Sequence, residues 1–132
     1  MSQDELSLLR DRALRMLRSA RKSLADGDYD IAAFMAEQGT QLYVKSMVLE
    51  HTGEVPRIHA LRQLIMVLRE LVEDQDAVDE FVRKERSLLI RLEEAYLSSR
   101  YLARPYDGEE AEELVDFARR VVDFVRSLKV KG

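Results

Sequence analysis

The sequence predicts an all-α fold, an antiparallel up-and-down bundle of four to five helices. Apolar residues recur every three or four positions along most of the 132 residues, which is the helical period. No segment carries a strand signal, and short turns with glycine, aspartate or proline separate the periodic segments. A chain of this length can bury a core without disulfides or metal, so residues 1–132 are expected to form a single domain.

The first helix is predicted over residues 3–25, where leucines and alanines follow the helical period. Three cations form a ridge along it: Arg15, Arg18 and Lys22. This ridge is interpreted as a solvated face, with contact to an anion or RNA as the alternative. Gly27 can adopt the left-handed conformation that ends a helix, and Asp28 can cap the next one, so helices one and two are expected to pack antiparallel.

Helix two is predicted from Tyr29 to about Glu50, and it should be the central helix because its second half is apolar on nearly every side. One stripe of this helix is predicted to face the core: Ile31, Phe34, Met35, Gln38, Leu42, Lys45 and Leu49. Gln38 and Lys45 are polar residues on that stripe, so each needs its own partner. Gly39 costs about 1 kcal/mol in a helix, which indicates a close contact with a neighbouring backbone.

The remaining chain predicts three further helices. Helix three begins near Ile58, with His59 in its first turn, and helix four covers residues 77–97 with Asp76 as its cap. Asp107 has the spacing of a capping residue before helix five, which continues to the end of the chain. The last three helices complete the predicted bundle.

Between helices four and five lies the longest irregular segment, which is rich in arginine and tyrosine. Its candidate ligand-binding residues are Arg100, Tyr101, Arg104 and Tyr106. Arginine contacts phosphates and tyrosine stacks on bases, so these residue types are suited to a nucleotide or RNA ligand. Packing of the segment over the end of the bundle is the preferred interpretation, and ligand binding is the alternative.

Composition excludes several classes of function. The net charge of −4 argues against a generally basic nucleic-acid binder, and the absence of cysteine rules out thiolate catalysis and thiolate metal sites. No segment has the apolar length of a signal peptide or membrane span, so a cytoplasmic protein without a membrane contact is expected. His51 and His59 lack the companions of a catalytic triad or a metal site, so no metal and no cofactor is expected.

Residues 27–45 read G-D-Y-D-x-A-A-F-x-A-E-Q-x-x-Q-L-x-x-K, followed by His59-Ala60-Leu61 and later by Ser99-Arg100-Tyr101, Tyr106 and Glu109-Glu110-Ala111. This order of motifs resembles the HEPN family, named for higher eukaryotes and prokaryotes nucleotide-binding. The resemblance implies a helical bundle that is often dimeric and often encoded beside a minimal nucleotidyltransferase in a toxin–antitoxin-like pair. It places five residues on the family's recurring polar positions: Gln38, Lys45, His59, Arg100 and Tyr101.

Three hypotheses for function follow. The first is a non-catalytic module that binds a nucleotide or a partner through Gln38, Lys45 and the segment Arg100 to Tyr106. The second is a metal-independent ribonuclease, although the family's pattern of an arginine, four to six residues and a histidine is missing and only Lys45 with His51 echoes it. The third is a structural dimer in which a glutamate such as Glu85 satisfies Lys45.

Overall fold

The computed structural model describes the backbone of residues 3–100 and 104–132, and the side chains of these residues except 98–100. This part of the chain contains six helices and no strand, which confirms the predicted all-α bundle. Val72 and Val130 form one isolated antiparallel bridge. The helices are α1 (Gln3–Ala25), α2 (Tyr29–Thr52), α3 (Leu61–Arg69), α4 (Gln75–Lys84), α5 (Arg86–Arg100) and α6 (Gly108–Ser127).

Side-chain contacts give the directions of the long helices. Arg10 of α1 bonds Glu50 near the end of α2, so these two helices are antiparallel as predicted. Arg126 near the end of α6 bonds Tyr43 of α2, while Gly108 at the start of α6 lies against Tyr29. Helices α2 and α6 therefore run in the same direction, and α1 runs against both.

Helix α2 is the centre of the bundle, as predicted, and packs against α1, α3, α5 and α6. Seven successive residues, Tyr43 to Leu49, are buried. Gly39 faces Leu17 and the backbone oxygen of Ala13 across the α1–α2 contact, which confirms the close approach predicted for this glycine. A helix that is buried on nearly all sides must satisfy any polar side chain internally.

The stripe predicted to face the core on α2 is wrong in its first part and confirmed at Lys45 and Leu49, which are buried. Ile31 is 45% exposed, and Phe34, Met35, Gln38 and Leu42 are only half-buried. The first half of the buried face instead contains small and polar residues: Ala32, Ala33, Ala36, Glu37, Gly39, Thr40 and Gln41. Ile31 and Phe34 therefore lie outside the core cluster, whereas Met35 and Leu42 pack against its edge.

Three helix boundaries also differ from the prediction. Helix α6 ends at Ser127, so it does not continue to the end of the chain. Helix α3 begins at Leu61, so His59 lies in the preceding loop and not in the first turn. The helix predicted over residues 77–97 is two helices, because α4 ends at Lys84 and α5 begins at Arg86. Neither glycine nor proline marks this break, so the residue pattern gave no signal for it.

Of the predicted caps, one is confirmed and two differ. The Asp107 side chain accepts a hydrogen bond from the backbone N–H three residues later, as predicted. Asp74 makes the same bond at the start of α4, where Asp76 was predicted to do so. Asp28 precedes α2 but its side chain makes no capping hydrogen bond. Asp74 and Asp107 therefore fix the starts of α4 and α6.

Candidate functional site

A column of polar side chains lies on the inner face of α2. Glu37, Gln41 and Lys45 are spaced four residues apart, which places them one above another on a single side of the helix. All three are buried. We call Glu37, Gln41, Lys45 and the neighbouring His59 the polar column.

Glu37 forms the buried end of the column. Its side chain is fully buried and accepts hydrogen bonds at both carboxyl oxygens, from Gln38 Nε2 at 2.7 Å and from Gln41 Nε2 at 2.9 Å. Burial raises the pKa of Glu37 to about 7, because desolvation outweighs these hydrogen bonds and the nearby charge of Lys45. The carboxyl group therefore changes between its neutral and its charged form near neutral pH.

Lys45 and His59 form the outer end of the column. Lys45 Nζ donates to Gln41 Oε1 at 2.9 Å and lies 3.5 Å from Nδ1 of His59, which is itself 3.3 Å from Gln41 Oε1. Desolvation lowers the pKa of Lys45, and the charge of Glu37 partly opposes that effect. His59 is exposed, so the outer end of the column reaches the surface of the chain.

Two contacts made by helix α5 lie beside the column. Tyr96 of α5 stacks on His59 with 5.9 Å between ring centroids and 13° between ring planes. One turn earlier on α5, Glu93 accepts hydrogen bonds from the backbone N, Nε and Nη2 of Arg62 at 2.7, 2.9 and 3.1 Å. These contacts tie α5 to the start of α3 and hold the loop that carries His59.

A shallow groove of about 700 Å³ opens beside the Arg62–Glu93 pair. Its apolar lining includes Ile58, Met66 and Val67, and its polar lining includes Gln63. Pockets of this size with mostly apolar walls and a few polar groups are typical of small-molecule sites. Ile58 and Ala60 of this lining flank His59 in the chain, so the groove adjoins the loop that carries His59.

The structure brings some of the predicted site residues together. Gln38 lies at the Glu37 end of the column, and Lys45 and His59 meet at the other end. Arg104 and Tyr106 form a separate contact, with the guanidinium 4.0 Å from the ring centroid. Arg104 also pairs with Glu110 through both terminal nitrogens, at 3.0 and 2.7 Å. The Arg100 side chain and Tyr101 lie outside the described residues.

Two expected pairings of Lys45 are replaced by other contacts. His51 lies 3.6 Å from Glu50 at the end of α2, whereas Lys45 contacts His59. Glu85, expected as a buried partner of Lys45, instead accepts a hydrogen bond from Arg120 at 2.6 Å. Glu85 lies at the break between α4 and α5, and its contact is with α6.

Sequence reasoning missed Glu37 and Gln41 as members of the site. The signal was the spacing Glu-x-x-x-Gln-x-x-x-Lys, which puts three polar residues on one side of a helix. Gln38 and Lys45 are seven residues apart, and the stripe predicted from them does not include Glu37 or Gln41. The Arg62–Glu93 pair joins residues 31 positions apart, so no local pattern could reveal it.

Comparison with known proteins identifies the family of this bundle. A sequence model of the HEPN domain matches residues 6–128. The chain belongs to the HEPN family. A search of curated proteins gave no match.

Two solved structures are similar to this HEPN protein. The crystal structure of TT1696 from Thermus thermophilus is 30% identical, with a TM-score of 0.73, and the match covers 92% of this chain and 95% of that one. The archaeal HEPN homologue ST0689 is 23% identical, with a TM-score of 0.65 over 96% of this chain and 97% of that one. TT1696 is thus similar in sequence and fold, and ST0689 in fold.

The described part of the chain contains neither a candidate membrane span nor a candidate metal-binding group. No helix there has both the length and the apolar composition needed to cross a membrane. No three His, Asp or Glu side chains in the same part of the chain are grouped so that they could hold a metal ion.

Proposed function

We propose that this HEPN protein is a non-catalytic module that binds a nucleotide at the outer end of the polar column. The observation that carries the proposal is the position of Lys45, whose ammonium group is buried behind the exposed His59 and is held by Gln41. A cation that folding has already desolvated and oriented binds a phosphate with little further cost. The neighbouring groove, with Ile58 and Met66 in its lining, would receive the base.

Replacement of Lys45 should weaken nucleotide binding while the fold is retained. A hydrogen bond to a charged group contributes about 1.5 to 3 kcal/mol, so Lys45→Met is expected to weaken binding at least about tenfold. Isothermal titration calorimetry with AMP, ADP, ATP and adenosine measures this. The matched control is Lys84→Met, because Lys84 is an exposed lysine of α4.

Adenosine tests whether the phosphate is what Lys45 recognises. The wild-type protein should bind the nucleotides more tightly than adenosine. The Lys45→Met variant should bind the nucleotides and adenosine with the same weak affinity. If none of the four compounds binds, or if Lys84→Met weakens binding as much as Lys45→Met, the polar column is not a nucleotide site.

A second candidate function is metal-independent cleavage of RNA, and the contact between Lys45 and His59 favours it. An imidazole can remove the proton of a 2′-hydroxyl, and an adjacent ammonium can stabilise the charge that develops on the phosphate. The two groups lie 3.5 Å apart near the surface. This pair takes the place of the predicted pair of Lys45 with His51.

If the protein cleaves RNA at this site, His59→Ala should reduce the rate by about a hundredfold or more, the usual contribution of a general base. Cleavage of a fluorescently labelled RNA in the presence of a chelator measures the rate. His51→Ala is the matched control and should leave the rate unchanged. Absence of cleavage by the wild-type protein would leave nucleotide binding as the function.

We further propose that the protein is a homodimer joined through the exposed apolar side of α2. Ile31 is 45% exposed, and Phe34, Met35 and Leu42 on the same stripe are only half-buried in the single chain. Such a row on a central helix suits burial by a second copy. The family resemblance also supports a minimal nucleotidyltransferase as a partner, in a toxin–antitoxin-like pair, and co-purification of the two co-expressed proteins would test it.

A charge at Ile31 should convert the dimer to a monomer. Ile31→Lys places an ammonium group in the apolar contact, where an unpaired charge is strongly unfavourable. Size-exclusion chromatography with light scattering should give the dimer mass for the wild type and the monomer mass for the variant. Leu8→Lys is the control, because Leu8 is 64% exposed and lies on α1. A monomeric wild-type protein would refute the dimer.

A further inference from the structure

A second groove lies between α1 and α6, on a different side of α2 from the polar column. Ala36 of α2 forms part of its floor, and Ala36 precedes Glu37 by one residue, which is a rotation of about 100° around the helix. The volume is about 750 Å³. The floor is apolar and consists of Leu14, Leu17, Ala20, Ala36, Val115 and Val122. We call this space the α1–α6 groove.

The rim of the α1–α6 groove is strongly basic, although the whole chain carries a net charge of −4. Its cations are Arg18, Arg21, Lys22, Arg119 and Arg126. Asp123 is the one acidic side chain in the lining, and it lies 3.9 Å from Arg119. Arg18, Arg21 and Lys22 make no ion pair or side-chain hydrogen bond with any residue that the structure describes. Three exposed cations that are unpaired within the described part of the chain thus lie beside an apolar floor.

The shape of the α1–α6 groove favours a slim ligand over a folded partner. Its lining on α1 runs from Leu14 to Ala25, a length of about 16 Å at 1.5 Å per residue. Its volume is within the range of about 300 to 1,000 Å³ that single small molecules occupy. A stable protein interface needs about 800 Å² from each partner, which a furrow between two helices with seven small or medium apolar side chains does not supply.

We propose that the α1–α6 groove binds a long-chain carboxylate, with the alkyl chain on the apolar floor and the carboxylate at the cationic rim. The alkyl chain covers Leu14 and Leu17, which are half-buried, and packs against Ala20, Ala36, Val115 and Val122, which folding has already removed from water. The carboxylate pairs with Arg18, Arg21 or Lys22, whose charges have no other partner in the described part of the chain. This site is separate from the polar column and does not depend on the nucleotide proposal.

Binding of a series of carboxylates tests the proposal. Octanoate, decanoate, dodecanoate and tetradecanoate, each below its micelle concentration, are titrated into the wild-type protein by calorimetry. The Kd should fall by up to about fourfold for each added methylene group that is buried. Tetradecanol and acetate should bind far more weakly, because one lacks the charge and the other lacks the chain. Amide shifts in NMR spectra should be confined to Ala20, Ala36, Val115 and their neighbours.

A pair of triple variants tests the role of the rim. Arg18→Gln/Arg21→Gln/Lys22→Gln should weaken tetradecanoate binding about tenfold, since each exposed ion pair is worth up to about a fivefold change. Arg12→Gln/Lys84→Gln/Arg86→Gln removes the same charge from exposed positions outside the groove and should change nothing. Circular dichroism confirms that both variants are folded.

Several results would overturn the proposal. They are no binding of any carboxylate, a Kd independent of chain length, equal binding of tetradecanol, or equal losses in the two triple variants. A change in oligomeric mass in the rim variant would show that a second copy covers the groove. Displacement of bound tetradecanoate by a short RNA at its own binding concentration would identify the rim as a nucleic-acid surface.

Discussion

The free energy of unfolding is expected to fall by about 2 to 3 kcal/mol between pH 5 and pH 8 because of one side chain, Glu37. Burial raises the pKa of this carboxyl group from 4.5 to about 7. Between these two values the native state holds a proton that the unfolded state has already released. The contribution of Glu37 to stability is therefore complete below pH 4.5, declines as the pH rises, and is lost above about pH 7.

Glu37→Gln is expected to remove this decline, because an amide does not titrate in this range. The substitution also turns an amide NH₂ toward Gln38 or Gln41, both of which donate to the wild-type carboxyl group. One unsatisfied donor costs about 1 to 3 kcal/mol at every pH. The change of stability with pH, and not the stability at one pH, is therefore the quantity that reports on Glu37.

Urea denaturation at pH 5, 6, 7 and 8 measures the slope for the wild type and the variant. The control is Glu112→Gln, because Glu112 is an exposed glutamate of α6 and its replacement should leave the slope unchanged. Hydrogen-bonded ion pairs with Arg69 and Arg104 lower the pKa values of Asp79 and Glu110, respectively. The stability that these two groups contribute is therefore lost as the pH falls, whereas the contribution of Glu37 is lost as the pH rises. Equal slopes for the wild type and Glu37→Gln would show that the buried carboxyl group keeps an ordinary pKa.

The proton on Glu37 also bears on the proposed site. Below about pH 7 the column holds a neutral carboxyl group and the Lys45 ammonium, so its outer end presents a net positive charge. Above that pH Glu37 is a carboxylate, and its negative charge offsets the positive charge of Lys45, to which Gln41 links it by hydrogen bonds. A phosphate ligand at Lys45 should therefore favour the protonated state of Glu37, which links ligand binding to proton uptake.

The fold could be predicted because it depends on signals that are local in the sequence. Apolar residues at helical spacing and short turns around Gly27 and Asp107 were sufficient to place α1, α2 and α6. The break at Glu85 could not be predicted, since no glycine or proline marks it. Glu85 at the break accepts a hydrogen bond from Arg120 of α6, a contact between residues 35 positions apart that no local pattern reveals.

The candidate site was predicted only in part, and the reason is the residue pattern of the first half of α2. Lys45 and His59 were identified as site residues, but in this half Ile31 lies on the exposed side, while small and polar residues lie on the buried side. Apolar periodicity therefore indicated the wrong side of the helix, and Glu37 was overlooked. A search for polar residues at four-residue spacing would have found Glu37 and Gln41 with Lys45.

A large loss of stability is expected at Gly39, where Gly39→Leu should cost about 3 kcal/mol or more. A Cβ atom at this position would lie 2.8 Å from Cγ and 2.9 Å from Cδ2 of Leu17, and 3.2 Å from the backbone oxygen of Ala13. The Leu17 side chain can move, but the Ala13 oxygen belongs to the backbone of α1. A full leucine side chain would therefore force α1 away from α2.

Gly39→Ala separates the packing effect from helix propensity. Propensity alone favours alanine over glycine by about 1 kcal/mol, so a stabilised variant would refute the close contact as the reason for Gly39. The contact with Leu17 predicts a net loss of stability instead. In a Leu17→Ala background two of the three close atoms are removed, and Gly39→Ala should then be nearly neutral. Urea denaturation of the four proteins gives the coupling between the two positions, expected at about 1 to 3 kcal/mol, and a coupling near zero would mean that the Ala13 oxygen alone sets the limit.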